Sequence, residues 1–302
     1  MTERQQVYLE VATAYFNVQR DLSILRLNEE SLETLKEQLK ANEKRYELSD
    51  TSLTDVARSK SAVATAYTRV ASARASHAVS QSLLHRLTGL SGRRLAESIT
   101  LPNTPSSPKS GFTKLLHNNS AIASARLTVE AAEYGVKEAK AMRLPSIELN
   151  SSVNRGRSPE NFGTFSDDRT TTSARASISL RVPVFQADQE FAQVKRAKQV
   201  QQYNEIQLSH TIATARDNFS AIWDRFEASK LALASHDNAV EAAEVAAIGT
   251  RKIYQSGLIS AIDLTETERI LLESKIGRER AKYETFVNAY TLLSMIGEIS
   301  SY

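Results

Sequence analysis

The chain carries the same helical hairpin twice, and this repeat limits its fold more than any local signal does. The stretch Tyr254-Gln255-Ser256-Gly257-Leu258-Ile259-Ser260-Ala261-Ile262-Asp263-Leu264 answers Tyr46-Glu47-Leu48-Ser49-Asp50-Thr51-Ser52-Leu53-Thr54-Asp55-Val56 at an offset of 208 positions, without a gap. Tyr46 aligns with Tyr254, Ser52 with Ser260 and Asp55 with Asp263; further on, Ala73, Leu84 and Gly89 align with Ala281, Leu292 and Gly297. Each stretch reads as a tight turn between long helices. In the second, Gly257 stands where a left-handed C-terminal cap would reverse the chain. Helices are predicted over 2–48 and 53–89, and over 187–252 and 262–296.

Apolar residues recur every seven positions in both repeats: Val11, Val18, Leu25, Leu32 and Leu39, then Phe219, Phe226, Leu233, Val240 and Ala247. A solitary amphipathic helix drifts toward a period of about 3.6, whereas a strict seven-residue spacing keeps one seam against a supercoiled neighbour. The two segments of each repeat are therefore expected to pair as antiparallel coiled coils. Only 10 glycines and 6 prolines occur among 302 residues, which leaves the helices uninterrupted. At about 1.5 Å per residue, the segment ending near residue 252 would run about 100 Å.

Several function classes fall away. Cysteine is absent, so no disulfide framework or thiolate metal site exists. The 38 basic and 35 acidic residues interleave and leave a net charge of +3, too little to imply nucleic acid. His77, His85, His117, His210 and His236 show no metal-ligand spacing, and no phosphate-binding glycine loop is present. No catalytic constellation, cofactor or metal is expected. No apolar run reaches the roughly 18 residues of a spanning helix, and the N-terminus lacks a signal-peptide core.

Between the repeats, residues 91–119 contain Pro102, Pro105 and Pro108 and read as a connector. A short strand is predicted at 98–101 and a short helix at 112–117. An alanine-rich helix follows at about 120–142, ending before Leu144-Pro145. The period then changes to two. Ile147, Leu149, Ser151 and Val153 alternate with Glu148, Asn150, Ser152 and Asn154; Ala174, Ala176, Ile178, Leu180 and Val182 alternate with Arg175, Ser177, Ser179 and Arg181. Two strands of about ten residues are expected, joined by a loop holding Gly156, Gly163 and two aspartates. One apolar and one polar face fits a membrane barrel strand or a half-buried hairpin of a soluble sheet; taken alone, the pattern favours the second.

The ordered set of motifs resembles the TolC-like outer membrane factor family, the trimeric exit ducts of Gram-negative efflux pumps and type I secretion systems. Arg45-Tyr46 through Asp55-Val56 and Tyr254 through Asp263-Leu264 resemble the family's two hairpin tips. Arg143-Leu144-Pro145-Ser146-Ile147 resembles the start of a barrel strand, Leu180-Arg181-Val182-Pro183-Val184-Phe185 its return to helix, and Leu292 through Gly297 the end of the last tunnel helix. The resemblance implies a mainly α fold: long antiparallel coiled-coil hairpins in two repeats, plus a β-hairpin contributing to a trimeric outer-membrane β-barrel. It divides the chain into a first tunnel hairpin at 1–90, an equatorial connector at 91–119, and a second repeat at 120–302 with its β-hairpin at about 146–184.

By the same resemblance, Asp263 and Glu266 would form acidic rings at a constriction. Thr54, Asp55 and Tyr254 would hold the gate shut, and Ser49, Ser52, Ser256, Gly257, Leu258 and Ser260 would meet a periplasmic adaptor. On spacing alone, Asp263 and Glu266 are carboxylates at a helix N-terminus, and Asp55 can cap its own helix. Implied partners are two further copies of the chain, the adaptor, an inner-membrane transporter and outer-membrane lipid. Three departures stand out. Ser49-Asp50 replaces the family's usual Gly-Leu, Gln186-Ala187 follows Phe185 where two small residues or Asp-Gly are usual, and Ile259 replaces a basic residue of the second tip. A counterpart of the strand pair would fall before Met1, so the chain reads as N-terminally truncated, with the signal peptide also outside it. Three copies would then bring six strands rather than twelve. The alternative reading is a soluble coiled-coil scaffold or a non-functional fragment of such a duct.

Overall fold

Long helices form because almost nothing in the sequence interrupts them. The computed structural model describes residues 3–89, 100–162, 165–183 and 189–299. Its elements are α1 (Glu3–Glu47), α2 (Leu53–Thr88), α3 (Pro108–Asn118), α4 (Ser120–Ala141), β1 (Ser146–Phe162), β2 (Phe165–Arg181), α5 (Gln189–Gln255) and α6 (Ala261–Met295). They fall into two compact units, Met1–Ala123 with Ile212–Tyr302, and Ser124–Thr211.

In the first unit, α1 and α2 form the expected antiparallel pair. Val18 packs with Leu84, and Leu25, Leu32 and Leu35 pack with Val63, Ala66, Val70 and Ala73. Asn42 meets Ser59. Ion pairs Glu29–Arg74 and Glu43–Lys60 flank the seam. The α2 seam is Val56, Ser59, Val63, Ala66, Val70, Ala73, Ser80 and Leu84, in the alternating three- and four-residue steps of a heptad. On α1 the same steps bury Ala14, Val18, Asp21, Leu25, Asn28, Leu32, Leu35 and Asn42. The predicted seventh positions are thus inside, with Val11 and Leu39 half-buried. The other half of the seam is largely polar.

The part of α5 in this unit pairs antiparallel with α6. Phe219, Phe226, Val240 and Ala247 are buried, Ser229 accepts a hydrogen bond through its carbonyl from Thr285 Oγ1 at 3.2 Å, and Glu244 pairs with Lys275 at 3.0 Å. A Cβ on Gly277 would lie 3.0 Å from the His236 ring, so the glycine lets the two helices approach there and His236 is packed. Helix α1 also lies against α6, where Phe16 stacks on Phe286 with ring centroids 5.3 Å apart.

The connector helix begins four residues earlier than expected, because Ser107 and Ser110 form a capping box around Pro108 at the first turn. Gly111 admits the Phe219 ring, whose Cζ would be 2.5 Å from an added Cβ. Lys114 pairs with Glu298 at 2.8 Å, and the Asn119 amide donates to the Met295 carbonyl at 3.1 Å. The strand predicted at 98–101 is not present at Thr100 and Leu101, which are in no regular element; residues 98 and 99 lie outside the described residues.

In the second unit, β1 and β2 pair antiparallel over 17 residues each, not about ten. Gly156 and both aspartates of the expected loop lie inside the ladder: Gly156 faces Thr171, while Asp167 and Asp168 face Glu160 and Pro159. Backbone pairing sustains a ladder beyond the point where apolar alternation, the only sequence signal available, ends. The register places Ile147 opposite Leu180, Leu149 opposite Ile178, Ser151 opposite Ala176 and Val153 opposite Ala174, so the apolar residues share one face. Glu148, Arg175 and Arg181 take the other face by the period of two. The Arg143 guanidinium lies 4.2 Å over the Phe191 ring, where the strands meet the flanking helices. Gly163, Val184-Phe185 and Gln186-Ala187 lie outside the described residues.

Candidate functional site: the two hairpin tips

Both tips are built from the same backbone device. At the first, Ser49 N–H donates to Tyr46 O at 2.9 Å and Asp50 N–H to Arg45 O at 2.8 Å; at the second, Gly257 N–H donates to Tyr254 O at 3.0 Å and Leu258 N–H to Ile253 O at 3.3 Å. These are paired Schellman bonds, and each needs a left-handed residue. Gly257 takes φ 76° at no steric cost, whereas Ser49 takes φ 60°. A Cβ there costs about 1–2 kcal/mol, more than the roughly 0.5–1 kcal/mol of chain entropy that glycine gives up. Ser49→Gly is therefore expected to stabilise the first tip by about 0.5–1 kcal/mol, read as slower hydrogen exchange at residues 48–52. Faster exchange would show that the serine is favoured there.

The returning helices start alike. Ser52 Oγ accepts from Asp55 N–H at 3.1 Å, and its hydroxyl donates to Asp55 Oδ2 at 2.7 Å. The Asp55 carboxyl is held below its usual range by the Ser52 hydroxyl, with Thr51 and the Ser52 backbone assisting. In the second tip, the Asp263 carboxylate accepts from Ser260 N–H at 3.2 Å and from its hydroxyl at 3.0 Å. Both aspartates thus cap their own helices, as their spacing allows.

The three residues named as gate contacts do not meet within one chain. Thr54 is exposed on the first turn of α2. The Tyr254 hydroxyl donates to Asn42 Oδ1, and the Arg45 guanidinium lies 5.3 Å over the Tyr254 ring while its Nε binds Asp50 at 2.8 Å. That ion pair, with Tyr254 alongside, raises the Arg45 pKa. Asn42 in turn donates through Nδ2 to Ser59 Oγ at 2.7 Å. Sequence reading missed Asn42 and Arg45; the seam step of three from Leu39 to Asn42 was the available signal.

Asp263 and Glu266 are both exposed on the first turns of α6. Arg269 donates from Nε to Glu266 at 2.9 Å and also binds Glu273. Its guanidinium holds the Glu266 carboxyl below the usual range and is itself shifted upward by the two glutamates. This cation, one turn beyond the carboxylates, is a third residue to which the spacing did not point. Of the adaptor-facing candidates, Ser49, Ser52, Ser256, Gly257 and Leu258 lie on the tip surfaces, as does Ser260. Leu258 is 78% exposed, and Leu48 of the first tip is 79% exposed. Among the described residues, no group of His, Cys, Asp or Glu could hold a metal ion.

The family model described as outer membrane efflux protein matches residues 112–298. The outer membrane efflux protein BepC of Brucella suis biovar 1 is 23% identical over 299 residues, covering 99% of this chain and 65% of BepC. The outer membrane protein TolC of Escherichia coli K12 is 24% identical over 324 residues, covering 99% of this chain and 63% of TolC. The chain therefore spans somewhat less than two thirds of the length of these relatives. Among solved structures, CusC, studied for folding and transmembrane channel formation, superposes with a TM-score of 0.77 at 18% identity, covering 97% of this chain and 68% of that one. With more than half of its residues matched by the family model, and with a β-hairpin between two helical hairpins in chain order, the chain belongs to the outer membrane efflux protein family.

Proposed function

We propose that the chain forms part of an outer-membrane exit duct, a passive channel with a periplasmic extension serving a tripartite efflux pump or a type I secretion system. The observation that carries this reading is the β-hairpin. Its apolar residues face one another in register on one side, and they are exposed: Ile147 at 75% and Ile178 at 76%. A single face of this kind suits lipid outside and water inside a closed barrel, and no helix among the described residues is long and apolar enough to cross a membrane.

In this reading residues 1–90 and the helices of 120–302 supply tunnel wall, 91–119 forms an equatorial connector, and the β-hairpin enters a barrel shared by three chains. The exposed tips, where Leu48 and Leu258 are largely bare, receive the helical hairpin of a periplasmic adaptor that links the duct to an inner-membrane transporter. Asp263 and Glu266 line the constriction, and Thr54, Asp55 and Tyr254 take part in the gate. Heat-modifiable trimers that require detergent and conduct in planar bilayers are the expected result. A monodisperse protein in detergent-free buffer would instead indicate a helical scaffold.

The carboxylates have a separate signature. Two unit charges about 4 Å apart in water interact by about 1 kcal/mol, which sets a several-fold scale for ion preference at a narrow ring. Asp263→Ala is expected to lower cation preference and relieve block by multivalent cations. Glu266→Ala has the smaller effect, because Arg269 already offsets Glu266. Single-channel reversal potentials separate the two, and unchanged selectivity in the double variant would remove both residues from the constriction.

A further inference from the structure

We propose that Asn42 is the positioning residue that ties the second tip to the first, so that opening of the duct requires Tyr254 to part from Asn42. The proposal rests on the duct reading for its functional meaning, though not for its geometry. Asn42 occupies a seam position of α1 and is 2% exposed. A side-chain amide there is costly unless both of its ends are bonded. Here both are. Oδ1 accepts the Tyr254 hydroxyl from the end of α5, and Nδ2 donates to Ser59 Oγ on α2 at 2.7 Å. Ser59 Oγ in turn donates a hydrogen bond to the Asp55 carbonyl at 3.0 Å. A chain of hydrogen bonds therefore runs from the second hairpin through α1 to the first turn of α2.

Tyr254 is fixed from a second side. Arg45, one turn along α1 from Asn42, covers its ring and is itself held by Asp50 of the first tip. The two arms leave Tyr254 attached to α1 rather than to Asp55, whose carboxylate is engaged by Ser52 and Thr51. A polar residue at a seam position commonly fixes register at a cost in stability. Asn42 fixes the relation between two hairpins as well, because its amide accepts from Tyr254 at one end while donating to Ser59 at the other.

Asn42→Leu tests this in the whole protein. Leucine suits the α1–α2 seam, so protection of residues 53–63 should hold, whereas a merely structural asparagine would lose both regions together. The positioning role predicts hydrogen exchange about three- to tenfold faster at 253–258, the range expected for one net hydrogen bond. Channel conductance should rise by a similar factor in Asn42→Leu and in Tyr254→Phe, and the double variant should exceed neither. Unchanged exchange at 253–258 in Asn42→Leu, or additive effects in the double variant, would overturn the proposal. Coupled exchange in a protein that forms no pore would leave Asn42 in its positioning role and refute the duct reading instead.

Discussion

Phe16→Ala is expected to cost about 3–5 kcal/mol of stability, the range for emptying a buried aromatic site. Phe16 is 2% exposed. Its ring stacks on Phe286 at 5.3 Å with an interplanar angle of 13°, meets Tyr290 at 5.2 Å and takes Tyr15 edge-on at 5.6 Å. This cluster joins α1 of the first repeat to α6 of the second, so its loss acts on the contact between hairpins as well as on a single helix. Three rigid rings around the vacated space cannot collapse into it, which favours the upper part of the range. Phe16→Leu leaves much of the volume filled and should cost less, roughly 1–3 kcal/mol. Urea unfolding followed by circular dichroism measures both. Trp223, the single tryptophan, packs 6.1 Å from Phe219 and reports on α5 in the same titration. A loss below about 1 kcal/mol for Phe16→Ala would show that the hairpins do not depend on this cluster.

The helices were legible because their signals are covalent and local. Gly257 marks where α5 must stop, and the expected ends of the four long helices fall within one to three residues of the structure, the widest gap being α5, which runs to Gln255 rather than 252. Seventh-position residues such as Val18 and Phe226 announced the seams. The polar half of each seam was silent, since Asp21, Asn28 and Asn42 look like surface residues until a partner helix is placed over them. The outer half of the β-hairpin was silent for a different reason. From Asn154 onward the sequence carries no apolar alternation, yet the backbone ladder continues to Phe162. At the tips, the motifs located Asp263, Glu266 and Tyr254 correctly on their turns. Their partners Arg269 and Asn42 depend on a helical step and on contact between two hairpins, which a repeat offset does not encode.

Leu149→Arg should prevent assembly in the membrane, whereas Ser177→Arg, across the same hairpin, should not. Leu149 pairs with Ile178 in the middle of the apolar run from Ile147 to Val153, and it is 69% exposed. On the proposed reading that exposure faces lipid. An arginine at the bilayer midplane of a barrel costs about 2–4 kcal/mol, and a trimer places three of them, so the penalty approaches about 6–12 kcal/mol. Such a sum is comparable to the whole stability of many domains. Ser177 lies opposite Asn150 on the other face, which already carries Arg175 and Arg181. A further arginine there enters water, adds no desolvation cost and should shift ion selectivity toward anions. Recovery of heat-modifiable trimers from outer-membrane fractions reads the first effect, and bilayer reversal potentials read the second. Loss of trimers with Ser177→Arg but not with Leu149→Arg would show that the two faces are exchanged, a slip of one residue that turns every side chain over. Trimers surviving both substitutions would mean that this hairpin does not sit in the bilayer.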